Sequence, residues 1–281
     1  MTTTHTLRVP GARLYYEVRG SGPVLLLIGA PMESYPFAPL ADRLADEYTV
    51  VTTDPRGISH SPLDDPTQDS TPELRADDAR RVLAALGDEP ASVLGTSGGA
   101  ITALELVAHH PERVRTLVAH EPPLIELLPD RAELRVAIDD VYDTHRRGDT
   151  DAAWGKFFAL SGFEIPGDGE APPLSDPSLP PEVAQANGDY MLAHMLRPTT
   201  RHRPDIDALR AAGTRIVVGI GTASRGQLCH RTSTALAARL DAPVADLPGD
   251  HMGFVTDPDA FATALRGVLA EDYAANSGDG S

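Results

Sequence analysis

Over the first 120 positions, short apolar runs alternate with amphipathic ones. Residues 14–18 read as a strand. Val24–Ile28 is an unbroken apolar run stopped by Gly29, the pattern of a strand buried on both faces. Residues 39–47 carry Leu40, Ala41, Leu44 and Ala45 at helical spacing, and 48–53 form a β-rich run ending at the turn Asp54-Pro55-Arg56-Gly57. Thr71 followed by Pro72 is a helix start, and that helix is predicted to run to Leu86. A strand over 91–94, a helix over 99–109 and a strand over 114–119 follow. Strands alternating with helices predict an α/β architecture, a mostly parallel sheet with helices on both faces.

The rhythm breaks after Glu121. Residues 122–204 hold no strand pattern. Helices are predicted over 131–147, 152–160 and 182–196, and the Pro-, Gly-, Asp- and Ser-rich stretch 166–181 reads as a loop or mobile segment. The α/β rhythm then returns, with helices at 205–212, 233–240 and 257–269 and strands at 215–220 and 243–247. The expected division is a core of 1–121 and 205–275, a helical cap of 122–204 inserted over one edge of the sheet, and a frayed tail of 276–281. Sites in open α/β sheets lie beyond the carboxyl ends of the strands, where such a cap sits.

Composition narrows the function classes. The 281 residues carry a net charge of −17, which disfavours polyanionic partners, so neither nucleic acid nor an anionic membrane surface is expected. No apolar run reaches the length of a membrane span, and the first residues do not form a secretory signal. A single cysteine, Cys229, excludes an intrachain disulfide and fits a cytoplasmic location. No Cys/His cluster points to a metal, and no cofactor is expected.

The strongest motif is Gly95-Thr96-Ser97-Gly98-Gly99, which fits G-x-S-x-G. A nucleophile at a sharp strand-to-helix turn needs neighbours without side chains, and the two outer glycines supply them. The five-residue pattern alone arises by chance in roughly one chain of this length in ten. Here a strand precedes it and a helix follows. The chain resembles the α/β-hydrolases at this elbow, and the resemblance implies that Ser97 is the nucleophile. Haloalkane dehalogenases and the usual epoxide hydrolases share the layout but carry aspartate there.

Of ten histidines, His251 stands in Pro248-Gly249-Asp250-His251-Met252, a loop after the last predicted strand, where the resemblance places the general base. The acid is less conventional. Most members of this superfamily carry an aspartate after the penultimate strand, but Gly219-Ile220-Gly221-Thr222-Ala223-Ser224 contains no carboxylate. Glu121, in His120-Glu121-Pro122-Pro123, ends the strand after the nucleophile helix and keeps the chain order Ser, Glu, His. Asp246 and Asp250 are weaker alternatives, too near His251 in sequence to reach it from another strand. The oxyanion donors expected are the N–H groups of Gly98 and Ala30, because Pro31 has none. Asp54-Pro55-Arg56-Gly57-Ile58-Ser59 reads as a structural turn.

The elbow, the His120-Glu121-Pro122-Pro123 segment, the acid-free stretch and Leu247-Pro248-Gly249-Asp250-His251-Met252 together resemble the zearalenone lactonases. That resemblance implies a Ser97, His251, Glu121 triad, donors at Ala30 and Gly98, and a macrocyclic resorcylic lactone as substrate. It runs through the core and not through the cap. His120, Trp154 and Met252 are expected at the substrate, with cap core as the other role for Trp154. Two alternatives stand: a carboxylesterase or thioesterase acting on another small ester, and a non-catalytic ligand-binding member of the fold. Labelling of Ser97 by a serine-reactive fluorophosphonate separates the last from the others.

Overall fold

The computed structural model describes residues 1–162 and 175–276. The loop expected over 166–181 is therefore seen only from 175 onward, where a short turn leads to a helix start at Pro181. Of the tail expected over 276–281, all but Asn276 lies outside the described residues.

In chain order the elements are Thr2–Val9 (β1), Ala12–Arg19 (β2), Val24–Ile28 (β3), Ala38–Leu44 (α1), Thr49–Thr53 (β4), Pro72–Leu86 (α2), Ala91–Thr96 (β5), Gly98–His109 (α3) and Val114–His120 (β6). The segment expected as a cap follows, with Arg131–Arg146 (α4), Thr150–Ser161 (α5), Pro181–Tyr190 (α6) and Leu196–Thr200 (α7). Ile206–Ala211 (α8), Arg215–Gly221 (β7), Leu228–Leu240 (α9), Val244–Leu247 (β8), Gly253–Thr256 (α10) and Pro258–Asn276 (α11) complete the chain. The sheet order is β1-β2-β4-β3-β5-β6-β7-β8. Only β1 and β2 run antiparallel to their neighbours; from β4 to β8 every pairing is parallel.

Alternate side chains of each strand feed two cores. Leu26, Ile28, Val93, Leu117 and Ala119 pack against α2, α3, α8 and α9. Leu25, Leu27, Leu94 and Val118 face the other way, against α1, α10 and α11. This period-two division explains the continuous apolar runs, since each central strand is covered on both faces. Local signals set the helix ends. The Thr71 hydroxyl accepts a hydrogen bond from Leu74 N–H at 3.4 Å, and Asp149 and Asp205 cap α5 and α8 in the same way at 3.1 and 3.0 Å.

Two elements differ from expectation. Strand β1 has no apolar pattern to predict it. Its sequence, TTTHTLRV, is exposed along nearly its whole length, and backbone pairing with β2 rather than an apolar face holds it. The single helix expected over 182–196 is instead α6, a π-turn at Met191–Met195, and α7. Pro198 accounts for the break. It has no N–H to give to the carbonyl four residues back, on His194. That carbonyl accepts from Ser70 N–H at 3.1 Å instead, which ties the cap to the core.

The cap has its own core of Leu134, Ile138, Val141, Ala153, Leu192 and Leu196, which continues into Leu228 of α9. Its side chains share cavity walls with Ala30 after β3, Ser97 after β5 and His251 after β8.

Candidate active site

The turn between β5 and α3 places Ser97 at φ 56° and ψ −127°, a conformation that an L-residue rarely adopts. The neighbouring glycines make it possible. A Cβ on Gly99 would lie 2.0 Å from the Ile28 carbonyl oxygen, and one on Gly95 would lie 2.6 Å from the Gly99 carbonyl oxygen. Gly98 is equally constrained, because a Cβ there would meet the Ala30 carbonyl oxygen at 2.5 Å. The elbow is therefore wedged against the end of β3, and Ala30 and Gly98 share one wall beside Ser97.

Glu121 follows β6 directly, with φ 51°. Its side chain is fully buried. One carboxylate oxygen receives a hydrogen bond from His251 Nδ1 at 2.7 Å, and the other from Gly221 N–H at 2.9 Å. The strand end that lacks an acid thus serves the acid on its neighbour, since Gly221 closes β7. Burial opposes the charge on Glu121, but the hydrogen bond from His251 and the nearby imidazoles outweigh it and bring the carboxyl down to about 2. In His251 the order is the same. Burial pulls the imidazole down, and the Cys229 sulfur and the Glu121 carboxylate beside it push it up further, to about 10.

Ser97, His251, Ala30, Met252 and Trp154 line one cavity of about 290 Å³, together with Glu33, Asn187 and Phe158. An apolar branch of about 60 Å³ continues past Ser97 and Gly98 between Ile138, Leu160, Met195, Leu196 and Leu228. Trp154 stacks on Phe158 at 5.5 Å and meets Phe157 edge-on at 5.6 Å, so an aromatic cluster forms the cap side.

His120 departs from its expected place at the substrate. It is fully buried beneath the site, its Nδ1 3.0 Å from the Thr96 hydroxyl, its ring 6.1 Å from that of His251 and edge-on to Phe254 and Phe261. Burial lowers its pKa to about 4, so at neutral pH it is an uncharged packing residue. The cause is register: β6 points His120 into the sheet-side core and turns at Glu121.

Some residues at the site carried no sequence signal. Cys229 enters because α9 begins at Leu228, five residues earlier than its apolar spacing suggested. Glu33, buried at the cavity wall, accepts hydrogen bonds from the Ser59 hydroxyl and from Asp176 N–H. Asn187 of α6 holds Ser59 by two hydrogen bonds, each 2.8 Å. The turn after β4 proves structural: Asp54 accepts from Ser34 and His60, and Arg56 pairs bidentately with Asp78 on α2.

Comparison with known proteins places this architecture. The chain is 32% identical to an uncharacterized hydrolase, YraK, of Bacillus subtilis, over 95% of this chain and 96% of that one. The chain belongs to the α/β-hydrolase family. The family model described as alpha/beta hydrolase fold matches residues 22–160. A zearalenone hydrolase of Bionectria ochroleuca is 27% identical over 93% of this chain and 96% of its own. Among solved structures, an alpha/beta hydrolase from Sphaerobacter thermophilus superposes with a TM-score of 0.66 at 23% identity, covering 96% of this chain and all of that one. Resemblance to the family and to zearalenone hydrolases, the expectation made from the motifs, is borne out, and the chain is a hydrolytic enzyme. Among the described residues no helix is long and apolar enough to cross a membrane.

Proposed function

We propose that this α/β-hydrolase cleaves a carboxylic ester or lactone through an acyl-enzyme on Ser97, with His251 as general base and Glu121 as the acid that orients it. The buried Glu121–His251 hydrogen bond, made beside the cavity that Ser97 enters from its elbow, is the observation that carries this reading.

In this mechanism Nδ1 of His251 is committed to Glu121, so the Ser97 proton passes to Nε2 as Oγ attacks the carbonyl carbon. Negative charge develops on the carbonyl oxygen. The N–H groups of Gly98, at the start of α3, and of Ala30 receive it, with the helix N-terminus adding its positive end. Collapse breaks the bond to the leaving alkoxide, which takes the proton back from Nε2. Water, deprotonated by His251, then attacks the acyl-enzyme and frees Ser97.

The aromatic wall of Trp154, Phe157 and Phe158, in a cavity that Met252 also lines, suits a ligand that is largely apolar and at least partly aromatic. Together with likeness to zearalenone hydrolases across the chain, this favours a macrocyclic resorcylic lactone such as zearalenone. The test is incubation with zearalenone, followed by chromatography and mass spectrometry for the ring-opened acid, with Ser97→Ala as the control. Ring opening that the variant lacks supports the reading. An intact lactone rules out this substrate and leaves the ester-hydrolase reading to the ester series below.

A second reading, an esterase for aliphatic acyl groups, draws on the apolar branch beyond Ser97, which is small and lined by Ile138, Leu196 and Leu228. A series of p-nitrophenyl esters of increasing chain length tests it through a maximum in kcat/KM.

A further inference from the structure

Cys229 stands in an unusual place for the chain's single thiol. It is the second residue of α9, it is 2% exposed, and it lines the apolar branch beside Ser97 and Gly98. One donor atom each from Glu121, Cys229 and His251 lies within 4.8 Å of the others. These three come from separate parts of the fold: the end of β6, the start of α9 and the loop after β8.

We propose that Glu121, Cys229 and His251 together form an inhibitory site for a borderline-soft divalent transition metal, with zinc as the probe ion. The donor set is sulfur, imidazole nitrogen and carboxylate oxygen, the three ligand types that zinc takes. Bond lengths of about 2.3 Å to sulfur and about 2.0–2.2 Å to nitrogen and oxygen give a tetrahedron with edges of roughly 3.3–3.6 Å. The three donors therefore close on an ion with side-chain adjustments on the order of 1 Å. The cavity and its apolar branch supply the entry path, because His251 lines the one and Cys229 the other. The fourth position falls to water or Ser97. Hard cations such as magnesium, which require an oxygen shell, do not suit a thiol and an imidazole.

The ion binds Cys229 as thiolate and His251 through a deprotonated ring nitrogen in place of its hydrogen bond to Glu121, so the thiol proton and the proton on that nitrogen both leave to solvent. An imidazole and carboxylate engaged by the ion no longer act as the base and its orienting acid, so hydrolysis stops until the metal is removed. Inhibition thus rests on the role proposed for His251, whereas binding does not.

Two measurements on the full-length protein test this. Zinc is titrated into an esterase assay, with magnesium in parallel and a chelator added afterwards, on the unaltered protein and on Cys229→Ser and Cys229→Ala, each referred to its own zinc-free rate. Cobalt(II) is titrated separately and thiolate-to-cobalt charge-transfer absorption is recorded. Expected are chelator-reversible inhibition by zinc and not magnesium, one cobalt thiolate site per chain, loss of that absorption in both variants, and a rise of roughly tenfold or more in the zinc needed for half-inhibition. Equal zinc sensitivity in the variants, or no thiolate-to-cobalt absorption in the unaltered protein, overturns the site. Cobalt absorption without zinc inhibition overturns the inhibitory role. A protein with no esterase activity before zinc is added counts against the proposed function, and the cobalt absorption then decides the metal site alone.

Discussion

The carboxylate of Glu121 accepts the Nδ1–H of His251 at 2.7 Å across 130 residues of sequence, and both groups are buried. The neighbouring strand end supports this pair, since Gly221 N–H holds the second carboxylate oxygen. Glu121→Gln preserves the shape but presents an amide where a carboxylate fixed the tautomer and balanced the imidazolium. A fall in kcat on the order of 10²–10⁴-fold is expected, with the folded state retained by circular dichroism. Near-native turnover would remove Glu121 from the mechanism.

Catalysis by this pair should favour alkaline conditions. His251 is held well above its ordinary 6.5, to about 10, against the pull of burial and with the Cys229 sulfur and the Glu121 carboxylate beside it. Only the neutral imidazole takes the Ser97 proton, so the competent fraction grows as pH rises. The expected profile of kcat/KM climbs from about pH 6 to about pH 9, and Glu121→Gln moves its inflection to lower pH. A profile already level at about pH 7 contradicts this.

The same two groups set a stability window. Glu121 is depressed to about 2 from an ordinary 4.5, so its contribution is complete above 4.5 and disappears as pH falls through about 2. The raised value of His251 works in the opposite sense, with its contribution complete below 6.5 and lost as pH rises through about 10. The pair therefore stabilises the fold most between 4.5 and 6.5. The difference in Tm between the unaltered protein and Glu121→Gln should be largest in that window and shrink on both sides. A difference independent of pH would mean that the substitution acts through packing.

The elbow leaves no room for a methyl group. In Gly99→Ala the new Cβ would sit 2.0 Å from the Ile28 carbonyl oxygen, a rigid backbone atom in the centre of the sheet. Loss of stability of about 3 kcal/mol or more is expected, read as a lowered urea midpoint with loss of soluble protein. A variant as stable as the parent would mean that β3 and α3 are not pressed together as described.

Asn187 joins the cap to the turn after β4 through its two hydrogen bonds to Ser59, and the Ser59 hydroxyl in turn donates to Glu33. Asn187→Ala leaves the Ser59 N–H without its partner beside the cavity wall. Its effect should fall on KM for a bulky ester, with much less change in labelling of Ser97 by a small phosphonate. Equal loss in both would place Asn187 in the stability of the core.

The parts of the fold that sequence reading captured are those with an apolar face to reveal them. The central strands are covered on both sides, so they appear as continuous apolar runs, and the elbow appears because its glycines are forced by backbone contacts. Strand β1 buries almost nothing and leaves no such trace. The α6 to α7 segment has helical spacing throughout, and its π-turn arises from the hydrogen bond lost at Pro198 and the carbonyl captured by Ser70, a tertiary event. At the site, a carboxylate at a strand end was legible for Glu121. The buried place of His120 is not legible, because its direction depends on the register of β6. Cys229 and Glu33 were invisible because their significance lies in contacts between elements far apart in the chain.

Covalent capture of the nucleophile tests the central claim most directly. The protein is treated with a fluorophosphonate, and the adduct is located by intact mass and peptide mapping, with Ser97→Ala alongside. One adduct per chain, on the peptide containing Ser97 and absent from the variant, with hydrolysis lost in step with labelling, is the predicted result. An enzyme that hydrolyses its ester while Ser97 stays unlabelled would contradict the account.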